Sequence, residues 1–324
     1  MKGIYFNGTN AVYREDLPVP VPTDTQSLIK VIYAGVCNTD REILKGYRPD
    51  FKGVMGHEFV GVVEASDNPL LVGRRVVGEL NAGCGHCIYC RTGREKHCPE
   101  RKVIGMEGKD GCFAEYMTLE THLLHEIPDS LLSDLALLTE PLAAALEIPK
   151  RVHLDPETKV AVIGDGRLAY QIAGVLHLHG VDLTVIGKHP EKLARFEDFG
   201  NTVELAVAEE AGKLAAGEAL EAATYEIVVE ATGAPSGLSL ASQLVRKQGT
   251  IVLKSTYAGA VSLDMSYFVV NEITLIGSRC GPFEPALRLL AKGLVKLPEV
   301  EFYSLEDYEK AFASRAFKAG FCLR

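Results

Sequence analysis

Val160-Ala161-Val162-Ile163-Gly164-Asp165-Gly166-Arg167-Leu168-Ala169 is the stretch whose reading decides the fold. Four consecutive apolar residues, three of them β-branched, mark a short strand buried on both faces. From Leu168 to His179 the apolar residues recur at helical spacing. Between strand and helix lies G-x-G-x-x-A. Gly164 allows a tight turn, Gly166 lets the backbone approach a pyrophosphate, and Ala169 permits close helix–strand packing. The helix N-terminus favours the phosphate charge. Alone, such a loop is an ordinary turn; in a strand–turn–helix setting it points to a dinucleotide.

Reading outward from this stretch, the alternation continues. Strand Asp182–Ile186 leads to a helix over Pro190–Phe199 with proline in its first turn. Strand Glu226–Glu230, helix Gly237–Val245 and strand Thr250–Leu253 follow. Strands alternating with helices predict a doubly wound parallel sheet of the Rossmann type. The coenzyme-side candidates are Gly164, Gly166, Arg167, Leu168 and Ala169 in the loop, then Gly187, Lys188 and His189 after the second strand. Thr232 and Gly233, after strand Glu226–Glu230, join them. An acid that accepts hydrogen bonds from the adenosine ribose belongs about 20 residues after the first glycine. That place reads Gly187-Lys188-His189-Pro190, with no carboxylate. The missing acid removes repulsion toward a 2′-phosphate, and Lys188 and His189 offer it positive charge, so NADP(H) is favoured over NAD(H). The plainer reading of Lys188 is a solvated loop cation.

The first part of the chain has a different texture. Lys2–Phe6, Leu28–Ala34, Phe59–Glu64 and Arg75–Glu79 read as short strands between Gly, Pro and Asp/Asn turns, an all-β domain with long loops. The last residues add a strand, Ile273–Gly277, and a helix near Glu284–Lys292, expected to return onto the first domain. A length of 324 residues is long for one core. The division expected is 1–142, 143–270 and 271–324.

Composition narrows the function classes. With 47% hydrophobic and 24% charged residues the chain is globular. A net charge of −9 disfavours a nucleic-acid or anionic membrane surface. No run approaches the ~18 apolar residues of a membrane span, and MKGIYFNGTN lacks the apolar core of a signal peptide. A cytoplasmic location is expected.

Eight cysteines are present, at positions 37, 84, 87, 90, 98, 112, 280 and 322. In an intracellular chain of this size, clustered cysteines more often bind metal than pair. Cys84, Cys87, Cys90 and Cys98 fall within fifteen residues, a lobe of about 84–98 that fits a closed tetrahedral zinc site. An iron–sulfur cluster competes, because C-x-x-C-x-x-C followed by Cys98-Pro99 echoes a ferredoxin run. The last spacing, seven residues rather than three, favours zinc. His86 and His97 read as bystanders on the loop.

Three further segments complete the pattern: Gly35-Val36-Cys37-Asn38-Thr39-Asp40, Gly56-His57-Glu58, and Thr139-Glu140-Pro141-Leu142. Singly, a cysteine in a strand-rich domain is usually a small core residue, and a histidine a satisfied polar group. Their order, with the cysteine lobe and the glycine loop, resembles the zinc-containing medium-chain dehydrogenases, particularly the sorbitol, threonine and glucose dehydrogenase branch. The resemblance covers essentially the whole chain, including Gly277-Ser278-Arg279-Cys280-Gly281-Pro282. It implies an α/β chain with a GroES-like β-rich catalytic domain beside the Rossmann sheet, and two zinc ions per chain. The catalytic zinc would be held by Cys37, His57 and a carboxylate, Glu58 or Glu140 or both. Hydride would pass between a zinc-bound alkoxide and the nicotinamide. Thr39 resembles the hydroxyl that takes the alcohol proton, its plainer role being a turn residue bonding its own backbone.

The substrate implied is a small alcohol or carbonyl compound, tilted toward secondary alcohols, polyols and sugars. The assembly implied is a homodimer or homotetramer. The pattern is broken at Glu42, five residues after Cys37, where several relatives carry a proton-relaying histidine. It is broken again at Ala65–Gly73, short for the expected hairpin, and at Arg74, where relatives often have aspartate. Two other readings stay open: a metal-free, quinone-reductase-like enzyme, and a non-catalytic binding protein on the same fold. The first would lack the ligand sets present here, and the second would be expected to have lost ligands or glycines.

Overall fold

The computed structural model describes residues 1–205, 223–256 and 261–323. They form two compact units, residues 1–140 with 283–324, and residues 141–282.

In the second unit, strand Lys159–Ile163 lies at the centre of a six-stranded, all-parallel sheet. In spatial order the strands are Asn201–Glu204, Asp182–Gly187, Lys159–Ile163, Tyr225–Glu230, Val245–Leu253 and Thr274–Gly277. Numbered along the chain this is 3-2-1-4-5-6, the doubly wound order that binds dinucleotides where the order reverses. Val160, Ala161, Val162 and Ile163 are each at most 1% exposed, as a central strand covered on both faces requires. Each fully buried Val or Ile contributes roughly 1.5–3 kcal/mol. Ile163 pairs with Ile186 on one side and Glu230 on the other, which brings three strand ends level at the glycine loop. Helix Arg167–His177 starts directly after Gly166 and buries Ala169, Ile172, Ala173, Val175 and Leu176 against the sheet.

Two expectations shift. Thr274–Gly277 is the edge strand of this sheet, so residues 271–282 go with it rather than with the C-terminal return. The helix expected over Pro190–Phe199 is one α-turn, Pro190–Leu193, followed by a 3₁₀ turn, Ala194–Phe196. Leu193, Phe196 and Phe199 are the buried residues there. Their spacing of three suits 3₁₀ geometry, in which i and i+3 eclipse.

The first unit is built on strand Gln26–Val36, which pairs with Glu58–Ala65, Tyr116–Glu120 and Lys318–Cys322, all antiparallel. Arg75–Gly78 and Leu124–Glu126 extend the sheet at one side, and Val300–Tyr303 at the other. The core stacks Phe113 edge-on to Phe321 at 4.9 Å. Residues after 283 thus supply two strands to a sheet begun near the N-terminus. Among the described residues, no helix is long and apolar enough to cross a membrane.

Candidate functional site

Helix Asn38–Leu44 begins where strand Gln26–Val36 ends, with Cys37 at its N-cap. Asp40, three residues on, accepts a hydrogen bond from the Cys37 backbone N–H at 2.8 Å, closing the first turn as a capping box does. Strand Glu58–Ala65 runs antiparallel beside it, with Gly35 opposite Glu58, which carries His57 and Glu58 to the same place. One ligand atom each from Cys37, His57 and Glu58 lie within 4.8 Å of one another. His57 and Glu58 are buried, at 3% and 2% exposure, and Cys37 is half-buried.

The surroundings of these groups are charged and buried. Asp40 is fully buried, with Oδ1 3.3 Å from His57 Nδ1. Burial disfavours a charged imidazole, but the Asp40 carboxylate and the Cys37 sulfur outweigh it and hold the His57 pKa well above its ordinary value. Neither Asp40 Oδ1 nor His57 Nδ1 makes a hydrogen bond of good geometry. The Lys318 ammonium, buried at 4% exposure, donates to Glu58 Oε2. Gly35 makes room for this pair, since a Cβ there would lie 2.6 Å from Glu58 Oε2 and 3.2 Å from Lys318 Cε. A thiol, an imidazole and a carboxylate converging in a buried pocket fit a divalent zinc with one coordination place left over. Its charge would face Glu58, which now shares its own with Lys318.

Glu140 stands in the first turn of helix Thr139–Leu146, half-buried and outside the 4.8 Å group. Thr39 Oγ1 lies 3.8 Å from Cys37 Sγ. Glu42 is not brought to the group; its side chain is 42% exposed and ion-paired with Lys45 at 2.9 Å. Sequence reasoning passed over Asp40 and Lys318. The Cys37-x-x-Asp40 spacing is a capping-box signal that would have found the first. Nothing local marks the second, 260 residues from Glu58.

Cys84, Cys87, Cys90 and Cys98 also place their sulfurs within 4.8 Å of one another. Cys87 and Cys90 Sγ are 3.5 Å apart, and the Cys84 N–H donates to Cys98 Sγ at 3.4 Å. Metal–sulfur bonds of ~2.3 Å in a tetrahedron set sulfurs about 3.8 Å apart, so one ion fits this set. Desolvation, then the neighbouring sulfurs of Cys87, Cys98 and Cys84, push the Cys90 thiol up to about 12. A bound cation is what reverses that. His86 is exposed, its Nδ1 2.9 Å from Cys84 O.

The glycine loop separates packing from binding. Gly164 has φ +129, and a Cβ would lie 2.6 Å from Ala231 O, so the fold itself requires glycine. At Gly166 a Cβ would meet nothing within 4 Å. Its bareness serves something the described chain does not supply, as close approach by a pyrophosphate would. Gly233 has φ +74 with equally open space, and its N–H donates to Ser255 Oγ at 2.7 Å. Thr232 donates through its N–H to Glu230 Oε1 at 2.8 Å. Gly187–Pro190 carries no carboxylate of its own, but one from the glycine loop reaches it. Asp165 Oδ2 accepts from the N–H groups of Lys188 at 2.8 Å and His189 at 2.9 Å, and lies 2.8 Å from His189 Nδ1. Burial opposes the charge on Asp165, and those bonds outweigh it, holding its carboxyl below the usual range.

Known proteins resemble this chain. Residues 23–129 match the family described as alcohol dehydrogenase GroES-like domain, and residues 166–292 the family described as zinc-binding dehydrogenase. D-arabitol-phosphate dehydrogenase of Enterococcus avium is 33% identical over 92% of this chain and 88% of its own length. Sorbitol dehydrogenase of Halalkalibacterium halodurans is 29% identical over 97% and 94%. A zinc-binding dehydrogenase of Sinorhizobium meliloti 1021, solved with NADP bound, superposes with a TM-score of 0.86 at 25% identity, covering 99% of this chain and 98% of that one. An Escherichia coli CFT073 alcohol dehydrogenase solved with NADH shares the fold, at 23% identity and a TM-score of 0.86 over 99% of each chain. With a full-length relative at this identity and both halves matched, the chain belongs to the zinc-type medium-chain alcohol dehydrogenases, oxidoreductases that work with zinc and a nicotinamide coenzyme.

Proposed function

We propose that this protein oxidises a secondary hydroxyl of a polyol or sugar alcohol to the ketone, with nicotinamide dinucleotide as hydride acceptor, and runs the reverse reduction through the same groups. The observation that carries this is the mixed donor set, Cys37, His57 and Glu58, gathered within 4.8 Å beside the Thr39 hydroxyl. The names of the relatives, arabitol-phosphate and sorbitol dehydrogenases, support a polyol.

Zinc in that donor set supplies Lewis-acid polarisation of the alcohol oxygen. Cys37 and His57 hold it, with Glu58 as the carboxylate at hand. Lys318 competes for Glu58, and Glu140 is the second carboxylate proposed for the ion. The Asp40 carboxylate, 3.3 Å from His57 Nδ1, faces the ring from the position that partners behind metal-bound histidines take. Thr39 accepts a hydrogen bond from the substrate's hydroxyl and, as that proton arrives, hands its own hydroxyl proton on to solvent. Gly164 and Gly166 shape the loop for the pyrophosphate, with Arg167, Leu168 and Ala169 opening the helix behind it, and Thr232 and Gly233 border the same sheet end. Cys84, Cys87, Cys90 and Cys98 hold a second zinc that takes no part in the chemistry. NADP(H) was expected from the Gly187–Pro190 stretch. Of the two cations behind that expectation, His189 is engaged by Asp165, and Lys188 alone is left for a 2′-phosphate. The protein is placed in the cytoplasm as a homodimer or homotetramer, which sedimentation would distinguish.

Metal analysis with an activity screen of polyols, sugars and ketones, using both coenzymes before and after chelation, tests the reading. Two zinc ions per chain and turnover lost on chelation are expected. Turnover that survives complete metal removal would instead mark a quinone-reductase-like enzyme. One zinc and no turnover on any alcohol or carbonyl would mark a binding protein.

A further inference from the structure

Gly187 ends the second strand of the parallel sheet, and the space its side chain would fill is already taken. A Cβ on Gly187 would lie 2.7 Å from Asp165 Cβ and 2.8 Å from Asp165 Oδ2. Asp165 comes from the glycine loop after the first strand, so a carboxylate sits at the end of the second strand without belonging to it. Its Oδ2 is fixed by three donors, the N–H groups of Lys188 and His189 and the His189 ring. Oδ1 has only Lys192 Nζ, at 3.9 Å, among the described residues, and so keeps room for further donors. The Asp165 side chain is 12% exposed, sheltered yet reachable.

We propose that Asp165 is a transposed coenzyme selector, delivering from the glycine loop the carboxylate that this fold otherwise carries at the end of the second strand, and that it makes the site prefer NAD(H) over NADP(H). A ribose 2′,3′-diol can donate to Oδ1, whereas a 2′-phosphate brings negative charge against a carboxylate whose other oxygen is held and cannot swing away. The cations nearby are engaged or exposed: the His189 ring is tied to Asp165 Oδ2, Lys192 Nζ lies 3.9 Å from Oδ1 and 3.4 Å from His189 Nδ1, and the Lys188 side chain is exposed. The proposal rests on the reading that this loop binds a nicotinamide dinucleotide.

Binding of NADH and of NADPH to the full chain, followed by coenzyme fluorescence without substrate, tests it apart from turnover. The wild type should bind NADH at least about tenfold more tightly, a preference worth about 1.4 kcal/mol. Asp165→Asn keeps the size and one acceptor but loses the charge, and should lower that preference by about tenfold, chiefly through tighter NADPH binding. The double variant D165G/G187D, which moves the acid to the strand end and relieves the crowding there, should restore the NADH preference. A wild type that prefers NADPH overturns the proposal. So does an Asp165→Asn protein that weakens on both coenzymes equally, since a residue that only holds the turn would act that way. If Asp165→Asn fails to fold, the double variant decides, and a folded double variant preferring NADPH overturns the proposal. A wild type that binds neither coenzyme removes the dinucleotide reading itself, and the selector with it.

Discussion

Replacing Lys318 by methionine keeps the length of the side chain and removes the charge that faces Glu58. Both partners are buried, with side-chain exposures of 5% and 1%, and the Gly35 backbone closes over them. Water therefore cannot take the place of the ammonium. Stripping one partner from a buried pair costs about 3–5 kcal/mol, because the other charge is left without compensation. The expected loss for K318M is therefore roughly 3–5 kcal/mol. Urea unfolding of chelated wild type and K318M at pH 7 should show that gap. Adding zinc should stabilise K318M more than the wild type, since the ion supplies the counter-charge Glu58 has lost. The apolar double variant E58L/K318M should fall well short of the summed single costs. A K318M loss under ~1 kcal/mol at pH 7, or strict additivity in the double variant, would refute the account of a charge pair that needs both members.

Other consequences follow from the same geometry. Gly166→Ala should leave stability unchanged or raise it by about 0.4–1 kcal/mol, because its Cβ meets no protein atom, while coenzyme affinity falls. Gly164→Ala should lose stability, through positive φ and the clash with Ala231 O; equal thermal midpoints for the two variants would contradict the division of roles. In the metal-free protein the raised pKa of His57 favours the protonated ring. Zinc binding should therefore release a proton, and calorimetry in buffers of different ionisation enthalpy should count it. By the same sign, this group's contribution to metal-free stability is full below the unfolded histidine value of ~6.5 and is lost as pH rises through the folded value. Glu42→Gln should leave the pH–rate profile in place and change stability by less than ~1 kcal/mol, because Glu42 spends its charge on Lys45 at the surface. A displaced profile would restore Glu42 to the proton path.

The parallel sheet was legible because its signals are local. Lys159–Ile163 is apolar throughout, and a two-sided strand must be. The strands missed lack such local signals. Lys318–Cys322 reads as Lys-Ala-Gly-Phe-Cys, with a buried lysine and a glycine, and nothing in those five residues announces a strand. It exists because strand Gln26–Val36 offers it an edge and Glu58 a counter-charge. Asn201–Glu204 is an edge strand with half its residues exposed, and its polar run lacks the alternation a half-buried strand shows.

The same distinction runs through the site, and it concerns charge. Cys37 and His57, named by the family resemblance, and the four cysteines, marked by their spacing, fall into two groups of converging ligand atoms. The groups that set how these residues behave were hidden in positions a motif treats as arbitrary. Asp40 is the third residue after a cysteine, Asp165 is an x in G-x-G, and Lys318 belongs to no motif. Each is a side chain whose opposite charge lies elsewhere in sequence: Asp40 with His57, Lys318 with Glu58, Asp165 with His189. A motif records the atoms that touch a ligand, because those are constrained by the ligand's shape. The charge behind them is constrained only by distance and burial, and any strand or loop that reaches the place can deliver it. In this chain the coenzyme-side carboxylate shows the consequence. Searching the expected position finds Gly187 and argues for a phosphate; searching the expected space finds Asp165 and argues against one.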